Sequence, residues 1–545
     1  MRGKRLLFWC LACVAVGATF AWILYVPYKP ERVLSAIPQE STFVSLHANL
    51  AGELPALLEN RVVTGTLSAA GTSATELSGL VTNRDTRVWL QRLAGDKTAI
   101  AYVPSLGSTR KPAWVCASWI GNQSQILRWK VTLFHPRNFK PVAFEYGRTI
   151  YNVRMRLENP RQCVSVALLE GILVACLSED PTAARYLVQT FDRQYGRRPF
   201  TPSTQALGTG SFPSSDRPHQ GWLRLPGSPL PDQPANSTLL CDARCPDRDH
   251  LELRLAIPGS LPDASADTGN ATARTLSALL GNSPDCTWVM PASWLRAVIF
   301  NSQAMPLWVE SLNPLMDSNR TNALAFAAIL NREHCGRIRG PISDTLTPFL
   351  KGLRVPTLVF AIQATDSKEA ASRIMKTLDR LNSRYGLGLI PHNLQTAAGG
   401  LTLIEETRRN LYGRFEPDER IAWTFRDGWL IVFSNAAVLK RRLATPADDA
   451  SLSLPAWKTL LEPADSAAWF NIPRTTRLFK DAIAAITLSL VFRNPEGTRE
   501  TRAKLDVAGQ WMSRLADLGE AATTIRATNG WVMIELDAAA AVSSH

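Results

Sequence analysis

Residues Cys163 to Leu187 read CVSVALLEGILVACLSEDPTAARYL, and residues Arg420 to Leu443 read RIAWTFRDGWLIVFSNAAVLKRRL. In each stretch an apolar run leads to an acidic residue and a glycine, and a second apolar run follows. The pairs are Glu170-Gly171 and Asp427-Gly428. An acidic residue and a glycine between apolar runs are typical of a β-hairpin turn. The sequence therefore predicts the same hairpin twice.

A helix is predicted after each hairpin. Ser178 follows the first hairpin and Ser434 follows the second. Serine is common at the start of a helix because its hydroxyl accepts a hydrogen bond from a free backbone N–H of the first turn. We therefore expect both helices to begin at these serines.

Further pairs of similar segments lie on both sides of the hairpins. Their offsets, with the hairpin turn third, are roughly 246, 244, 257, 247 and 280 residues. Such a repeated spacing indicates an internal duplication. The other matching segments are 36–50 with 282–295, 112–130 with 356–379, 219–227 with 466–474, and 248–257 with 528–538.

The duplication predicts the domain organisation. We expect two homologous α+β domains, residues 31–280 and 281–545, after a leading segment at 1–30. Each domain is predicted to have a mainly antiparallel sheet with helices packed on one face. A chain of 545 residues is also longer than a single hydrophobic core usually organises.

The leading segment predicts a membrane anchor. Leu6 to Val26 is an uninterrupted apolar run, and a helix of that length spans about 30 Å, enough to cross a bilayer. Arg2, Lys4 and Arg5 precede it, which predicts a cytoplasmic N-terminus and an exported remainder. The predicted location is the bacterial inner membrane, with one pass and an extracytoplasmic bulk. A cleavable signal peptide is the alternative.

The composition is that of a folded, basic protein. Apolar residues make up 46% and charged residues 20%, and the formal charge is +13. Nine cysteines at irregular spacing do not form a disulfide scaffold. Cys241 and Cys245 are the pair predicted to form a disulfide in an oxidising compartment. Zinc binding with the nearby His250, or free thiols, are the alternatives.

A basic stretch suggests where an anion binds. Arg110 to Arg161 contains many cations and only two acidic residues. The pattern of residues 151–157 alternates as in a β-strand, which places two of the arginines on one face. We expect a contact with a polyanion, such as anionic lipid or a wall polymer, and a plain solvated face is the alternative. The residues predicted to make it are Arg128, Lys130, Arg154 and Arg156.

No motif predicts a chemical reaction. Phosphate-binding loops, dinucleotide fingerprints, zinc-protease helices and nucleophile elbows are absent from the sequence. We therefore expect no cofactor, metal or catalytic residue, and no nucleic-acid partner. The predicted function is a membrane-anchored extracytoplasmic binding or structural protein whose partner is an envelope protein, lipid or wall polymer.

Two alternatives remain at this point. One is an envelope-acting enzyme of unrecognised type, with a site assembled from distant carboxylates such as Glu145, Asp366 or Glu535. The other is a lipid-handling module, which predicts an apolar groove between the sheet and the helices that no side chain fills.

Two short motifs support a resemblance. They are Pro38-Gln39-Glu40-Ser41 before the first strand and Asp427-Gly428-Trp429-Leu430-Ile431-Val432 in the second hairpin. With them the chain resembles an uncharacterised family of bacterial single-pass envelope proteins, known as a domain of unknown function. The resemblance implies an anchored, exported protein with tandem α+β units, and it implies no catalytic residues.

Overall fold

The computed structural model describes most of the chain. Its main ranges are 24–69, 82–107, 111–154, 160–201, 218–224, 238–259, 284–291, 323–329, 357–364, 366–396, 399–407, 420–444, 454–461, 464–477, 499–515, 518–528 and 530–541, together with shorter pieces.

The first half forms ten antiparallel strands among its described residues. Their order across the sheet is β4-β5-β6-β7-β3-β2-β1-β8-β9-β10. The strands are β1 (Phe43–His47), β2 (Thr98–Leu106), β3 (Lys111–Trp119), β4 (Phe139–Glu145), β5 (Arg148–Val153), β6 (Cys163–Leu168), β7 (Ile172–Ser178), β8 (His219–Arg224), β9 (Thr238–Arg244) and β10 (His250–Pro258).

The second half repeats this order. Its sequence of neighbours is β16-β17-β18-β19-β15-β12-β11-β20-β21-β22, all antiparallel. These strands are β11 (Cys286–Pro291), β12 (Ala323–Ile329), β15 (Thr357–Gln363), β16 (Leu389–Thr396), β17 (Gly399–Glu406), β18 (Ala422–Arg426), β19 (Trp429–Phe433), β20 (Ser466–Asn471), β21 (Leu518–Thr528) and β22 (Trp531–Ala540); β13 (Gly336–Arg337) and β14 (Arg354–Val355) pair separately. The repeated order supports a duplication, and the boundaries 31–280 and 281–545 stay a prediction.

Helices connect and cover the strands. A 3-10 helix spans Pro30–Ala36. The longer α-helices are α1 (Leu50–Glu59), α2 (Arg61–Ala69), α3 (Arg84–Ala94), α4 (Gln123–Phe134), α5 (Ala184–Phe191), α6 (Ser367–Tyr385), α7 (Ala436–Ala444), α8 (Pro455–Leu461) and α9 (Arg499–Leu515).

The two halves share one sheet. Strand β10 pairs with β22, which joins all the strands named above except β13 and β14 into a 20-stranded sheet. Arg254 lies opposite Glu535 at the middle of this pairing, with 3.3 Å between Nε and Oε1. Helices α2 and α9, one from each half, pack together beside the junction over the buried Val62 and Leu518. The halves are therefore structurally continuous.

Prolines protect the outer edges of the sheet. Among the described strands, β4 and β16 each pair on one side only. Pro141 and Pro391 occupy the third position of these two edge strands. Proline has no N–H to offer a further strand and is tolerated at edges. Both ends of the sheet thus resist pairing with another chain.

The second half is covered on both faces. In β15, Val359 and Ala361 belong to a core with Trp457 of α8. The alternate residue Ile362 belongs to a different core, with Ile374 of α6. Successive strand residues point to opposite faces, so α6 and α8 cover opposite sides of the sheet.

This arrangement corrects the predicted fold class. An N-terminal transmembrane helix followed by two domains with helices on one face is wrong, because the described chain is mostly one antiparallel sheet with helices on both faces in its second half. The repeat pattern identified strands and helices along the chain. It carried no information on which face each helix would cover.

The predicted transmembrane helix and signal anchor are also wrong. Among the described residues no helix has the length and apolar character needed to cross a bilayer. Most of the run from Leu6 to Val26 lies outside those residues. Val26 instead packs against the first-half core, and its N–H donates to Oδ1 of Asn122 at 2.7 Å. The location of the protein stays a prediction.

Both predicted hairpins are confirmed, but the helix starts are not. Strands β6–β7 and β18–β19 pair around the expected turns. The Ser178 hydroxyl accepts from the N–H of Asp180, and α5 begins later, at Ala184. The Ser434 hydroxyl accepts from the N–H of Leu358 on β15, and Asn435 caps α7 through Val438. Each serine hydroxyl therefore accepts a hydrogen bond from a backbone N–H outside the helix that follows it and does not cap that helix.

Candidate binding groove

The start of α4 is fixed to the first-half sheet. Ile120 and Gly121 both donate their N–H groups to the carbonyl of Gly171 in the β6–β7 turn, at 2.8 and 3.0 Å. The Ser124 hydroxyl donates to the carbonyl of Gly121 at 2.7 Å. These bonds place the first turn of α4 beside the turn between β6 and β7.

The rest of α4 contributes little to the core. Only Ser124 and Val131 of its twelve residues are buried. Helix α6, which follows β15 as α4 follows β3, buries five residues, including Ile374 and Leu378. The same position in the two strand orders therefore carries a tightly packed helix in the second half and a loosely packed one in the first.

An open groove lies between α4 and the sheet. Its main cavity measures about 460 Å³. An adjoining cavity of about 260 Å³ extends towards the β6–β7 turn. The main cavity is lined by Gln125, Arg128, Trp129, Thr132, Phe144, Gly147, Arg148, Thr149, Tyr151 and Leu168.

The groove is on the face of the sheet opposite the first-half core. Thr149 and Tyr151 line it, while Ile150 between them belongs to the core. Likewise Leu168 lines it, while Ala167 is buried in the core. Alternating direction along a strand accounts for both pairs. The groove thus occupies the place that the α6 core fills in the second half.

The two arginines of the groove differ in their surroundings. Arg148 forms ion pairs with Asp192 and, at 3.8 Å, with Glu170, and its guanidinium lies 5.6 Å from the centre of the Phe191 ring. Arg128 forms no ion pair with any described residue. Its charge is therefore available to an incoming anion, whereas that of Arg148 is largely balanced.

Exposed aromatic rings line the same cavity as Arg128. The side chain of Trp129 on α4 is 50% exposed, and that of Phe144 on β4 is 71% exposed. Large apolar side chains left in water are unfavourable unless a ligand or partner covers them. Both rings line the main cavity, so an apolar group bound there would be covered by them.

The turn of the β4–β5 hairpin forms one end of the groove. Tyr146 and Gly147 have positive φ angles of 45° and 72°, as a two-residue hairpin turn requires. Tyr146 stacks edge-on with Tyr195 at 6.1 Å between ring centres. A hydrogen bond with Tyr195 raises the pKa of Tyr146 to about 12. This phenol is therefore neutral at physiological pH and adds no charge to the groove.

The predicted polyanion residues are not gathered in one site. Arg128 lines the groove, and Lys130 is exposed two residues further along α4, on another side of the helix. Strand β5 ends at Val153, so Arg154 is an exposed residue after the strand. Arg156 lies outside the described residues.

The cysteine and histidine candidates do not form a metal site. Cys241 is on the extended strand β9 and Cys245 follows its end; four extended residues put their Cα atoms about 13 Å apart, beyond the reach of a disulfide. Both are free thiols, so the predicted disulfide is wrong. No group of three or more metal-ligating side chains occurs in the described part of the chain. Asp247 instead accepts from the N–H groups of Asp249 and His250.

The carboxylates suggested for an enzyme are engaged separately. Glu145 accepts from the amide of Gln189 at 3.1 Å. Asp366 caps α6 through the N–H of Glu369 at 2.7 Å. Glu535 pairs with Arg254 at the junction of the halves. The structure does not bring these three carboxylates together.

Sequence reasoning missed the aromatic walls of the groove. Trp129 and Phe144 were not singled out, nor was Arg148. A signal for them exists on α4, where Ile126, Trp129 and Leu133 recur at helical spacing without an acidic residue between them. That pattern, however, is the same as that of a helix packed in a core, so it identifies a face and not its exposure.

Comparisons with known proteins add little. No family model matches the chain, and no curated protein matches it. A solved structure described as "Structure of crystal form III of TP0453" is similar over 47% of this chain and 88% of that chain, with 13% sequence identity and a TM-score of 0.24. A similarity at this TM-score carries no argument about fold or function. The resemblance to the envelope family stays an expectation.

Proposed function

We propose that the chain is a binding protein without a catalytic role, and that its groove beside α4 takes an anionic amphiphile. An anionic amphiphile here means a molecule with a negatively charged head and an apolar part. The observation that carries the proposal is an open groove lined by the exposed rings of Trp129 and Phe144 and by Arg128, which forms no ion pair with any described residue. Of the partners that the sequence suggests, an envelope protein, anionic lipid or a wall polymer, anionic lipid matches this chemistry best.

The charge of the region favours an anionic head. Residues 97–144, which include all of α4 and most of β4, contain no aspartate or glutamate. Arg128 is the cation of this segment that lines the cavity. A guanidinium binds phosphate or carboxylate oxygens through two parallel N–H donors. The hydroxyls of Thr132 and Thr149 on the groove wall offer further hydrogen bonds to the head.

The size and walls of the groove favour an apolar part as well. Ligand sites in proteins usually have volumes of about 300–1,000 Å³, and they combine mostly apolar walls with a few polar groups. The main cavity, at about 460 Å³, fits this range. An inorganic anion alone would leave the rings of Trp129 and Phe144 in water. An amphiphile covers them and also meets Arg128.

Replacing Arg128 with glutamine is expected to weaken binding of monomeric dihexanoylphosphatidylglycerol about tenfold, because a charge-assisted hydrogen bond is lost. Isothermal titration calorimetry below the micelle concentration measures this. The purified chain should bind the zwitterionic dihexanoylphosphatidylcholine more weakly than the glycerol lipid. The helix should persist, because Arg128 is exposed and glutamine is a good helix former.

Arg426→Gln is the matched control. Arg426 lies at the end of β18 in the second half, where it pairs with the adjacent Asp427 at 3.6 Å. This change removes the same charge from the protein without touching the groove, so the affinity should stay unchanged. Equal losses of affinity in the two variants would show that the effect comes from the net charge of the protein and not from the groove. Absence of binding to either lipid would contradict the proposed function.

A further inference from the structure

An apolar stripe runs along α4 and includes Trp129 at the edge of the groove. Ile126, Trp129 and Leu133 recur at intervals of three and four residues, which places them on one side of the helix. Phe134, next to Leu133 at the end of the helix, is a further large apolar residue. Leu133 is 62% exposed and Phe134 is 76% exposed, and neither lines the groove cavities. The groove ligand therefore leaves these two side chains uncovered.

Cations surround the stripe. Lys130 lies between its members on the helix, and Arg137 and Lys140 follow in the segment that leads into β4. All three are exposed, and none makes an ion pair with a described residue. The stripe and these cations both lie in the segment 97–144, which contains no aspartate or glutamate. The surface thus combines exposed large apolar side chains with cations that no described acidic residue pairs with.

We infer that this surface docks on the face of an anionic lipid bilayer, from which the groove takes its amphiphile. The inference rests on the proposed function for the source of the ligand, but its own evidence is the pair Leu133 and Phe134, which lie outside the groove cavities. Aromatic and leucine side chains flanked by lysine and arginine are typical of helices that lie in the bilayer interface. Basic residues near the surface are attracted to anionic headgroups. No segment needs to cross the bilayer.

The charge pattern favours a lipid surface over a second copy of this chain. A symmetric dimer across the stripe would bring Lys130, Arg137 and Lys140 of both copies together, and like charges at close range oppose association. An anionic surface relieves this repulsion. The corresponding helix of the second half, α6, has Glu369 and Asp379 among its cations and uses Ile374 and Leu378 in a core. The stripe is therefore a property of α4 and not of the repeated unit.

The double variant Leu133→Ser/Phe134→Ser tests this docking. The partition coefficient of the full chain on vesicles of phosphatidylglycerol and phosphatidylcholine, measured by co-sedimentation, is expected to fall at least about tenfold. Two apolar side chains then no longer enter the interface. Vesicles of phosphatidylcholine alone should bind the unchanged protein weakly. Raising the ionic strength to about 1 M should also release it, because the Debye length then falls to about 3 Å.

The control separates docking from groove binding. Val507→Ser, on the second-half helix α9, removes another exposed apolar side chain and should leave vesicle binding unchanged. In the Leu133→Ser/Phe134→Ser protein, monomeric dihexanoylphosphatidylglycerol should still bind with the original affinity. Monomer binding without vesicle binding in the unchanged protein would overturn the docking and leave the proposed function intact. A dimer in light scattering that the double variant dissociates would also overturn it, in favour of self-association.

Discussion

Replacing Ile374 with alanine is expected to lower the free energy of unfolding by about 2–4 kcal/mol, because the change leaves a cavity in the core beneath α6. Ile374 is buried there with Leu378, Leu430 and Ile404. Urea unfolding followed by far-ultraviolet circular dichroism measures the effect. This prediction tests the claim that α6 is a structural helix.

Ile126→Ala on α4 is the matched change. Ile126 is exposed, so its replacement should alter stability by less than about 0.5 kcal/mol. The contrast between two isoleucine-to-alanine changes on corresponding helices is the expected result. Losses of similar size would show that α4 packs as tightly as α6, and the groove would then not exist.

Protonation of His47 alone is expected to lower the free energy of unfolding by about 2–3 kcal/mol as the pH falls from 7 to about 4.5. His47 on β1 faces His219 on β8, with 3.0 Å between their Nδ1 atoms. Burial, together with the neighbouring His219, lowers the pKa of His47 from 6.5 to about 4. Burial also lowers the pKa of His219.

The sign follows from proton binding. Between pH 6.5 and about 4 the unfolded chain binds a proton at His47 that the folded chain does not, so acid favours unfolding. The contribution of neutral His47 to the free energy of unfolding is fully present above pH 6.5, and it is lost as the pH falls towards 4. Urea midpoints at pH 7 and pH 4.5 measure it.

Two variants isolate the contribution of the histidine pair. His47→Gln should show a smaller difference in stability between the two pH values, because glutamine does not titrate. His392→Gln, at an exposed position on β16, should behave like the unchanged protein. If His47→Gln kept the full pH dependence, the loss in acid would have to come from carboxylates elsewhere.

Local features of the fold were readable from the sequence. Both hairpins were predicted from a few consecutive residues, since Asp427 and Gly428 adopt the positive φ angles of 51° and 79° that a two-residue turn requires. The segments matched by offset correspond to strands at equivalent places in the two strand orders. Features set within a few residues of each other leave a pattern in the sequence.

Features set by distant contacts were not readable. Serine is a common helix-capping residue, but the Ser434 hydroxyl accepts a hydrogen bond from the N–H of Leu358, 76 residues away. Val26 ends an apolar run typical of a membrane span, but its N–H donates to Asn122 and its side chain packs against the first-half core. The pairing of β10 with β22 likewise depends on contacts between the halves. Tertiary contacts of this kind override local preference.

The candidate site was only partly predictable for the same reason. Charge composition identified Arg128, because a basic segment is visible without a structure. The exposure of Trp129 and Phe144 depends on whether α4 packs against the sheet, and the same apolar spacing fits both outcomes. Only the comparison of α4 with α6 in the folded chain distinguishes an open groove from a filled core.

Photocrosslinking tests the central claim, that the groove beside α4 is the binding site, most directly. The full chain would be irradiated with a short-chain phosphatidylglycerol that carries a diazirine in its acyl chain, and the labelled peptides identified by mass spectrometry. We predict labels in residues 125–132 of α4 and 144–151 of the β4–β5 hairpin, and a loss of these labels in Arg128→Gln. Labels confined to other parts of the chain, or unchanged by that substitution, would contradict the account.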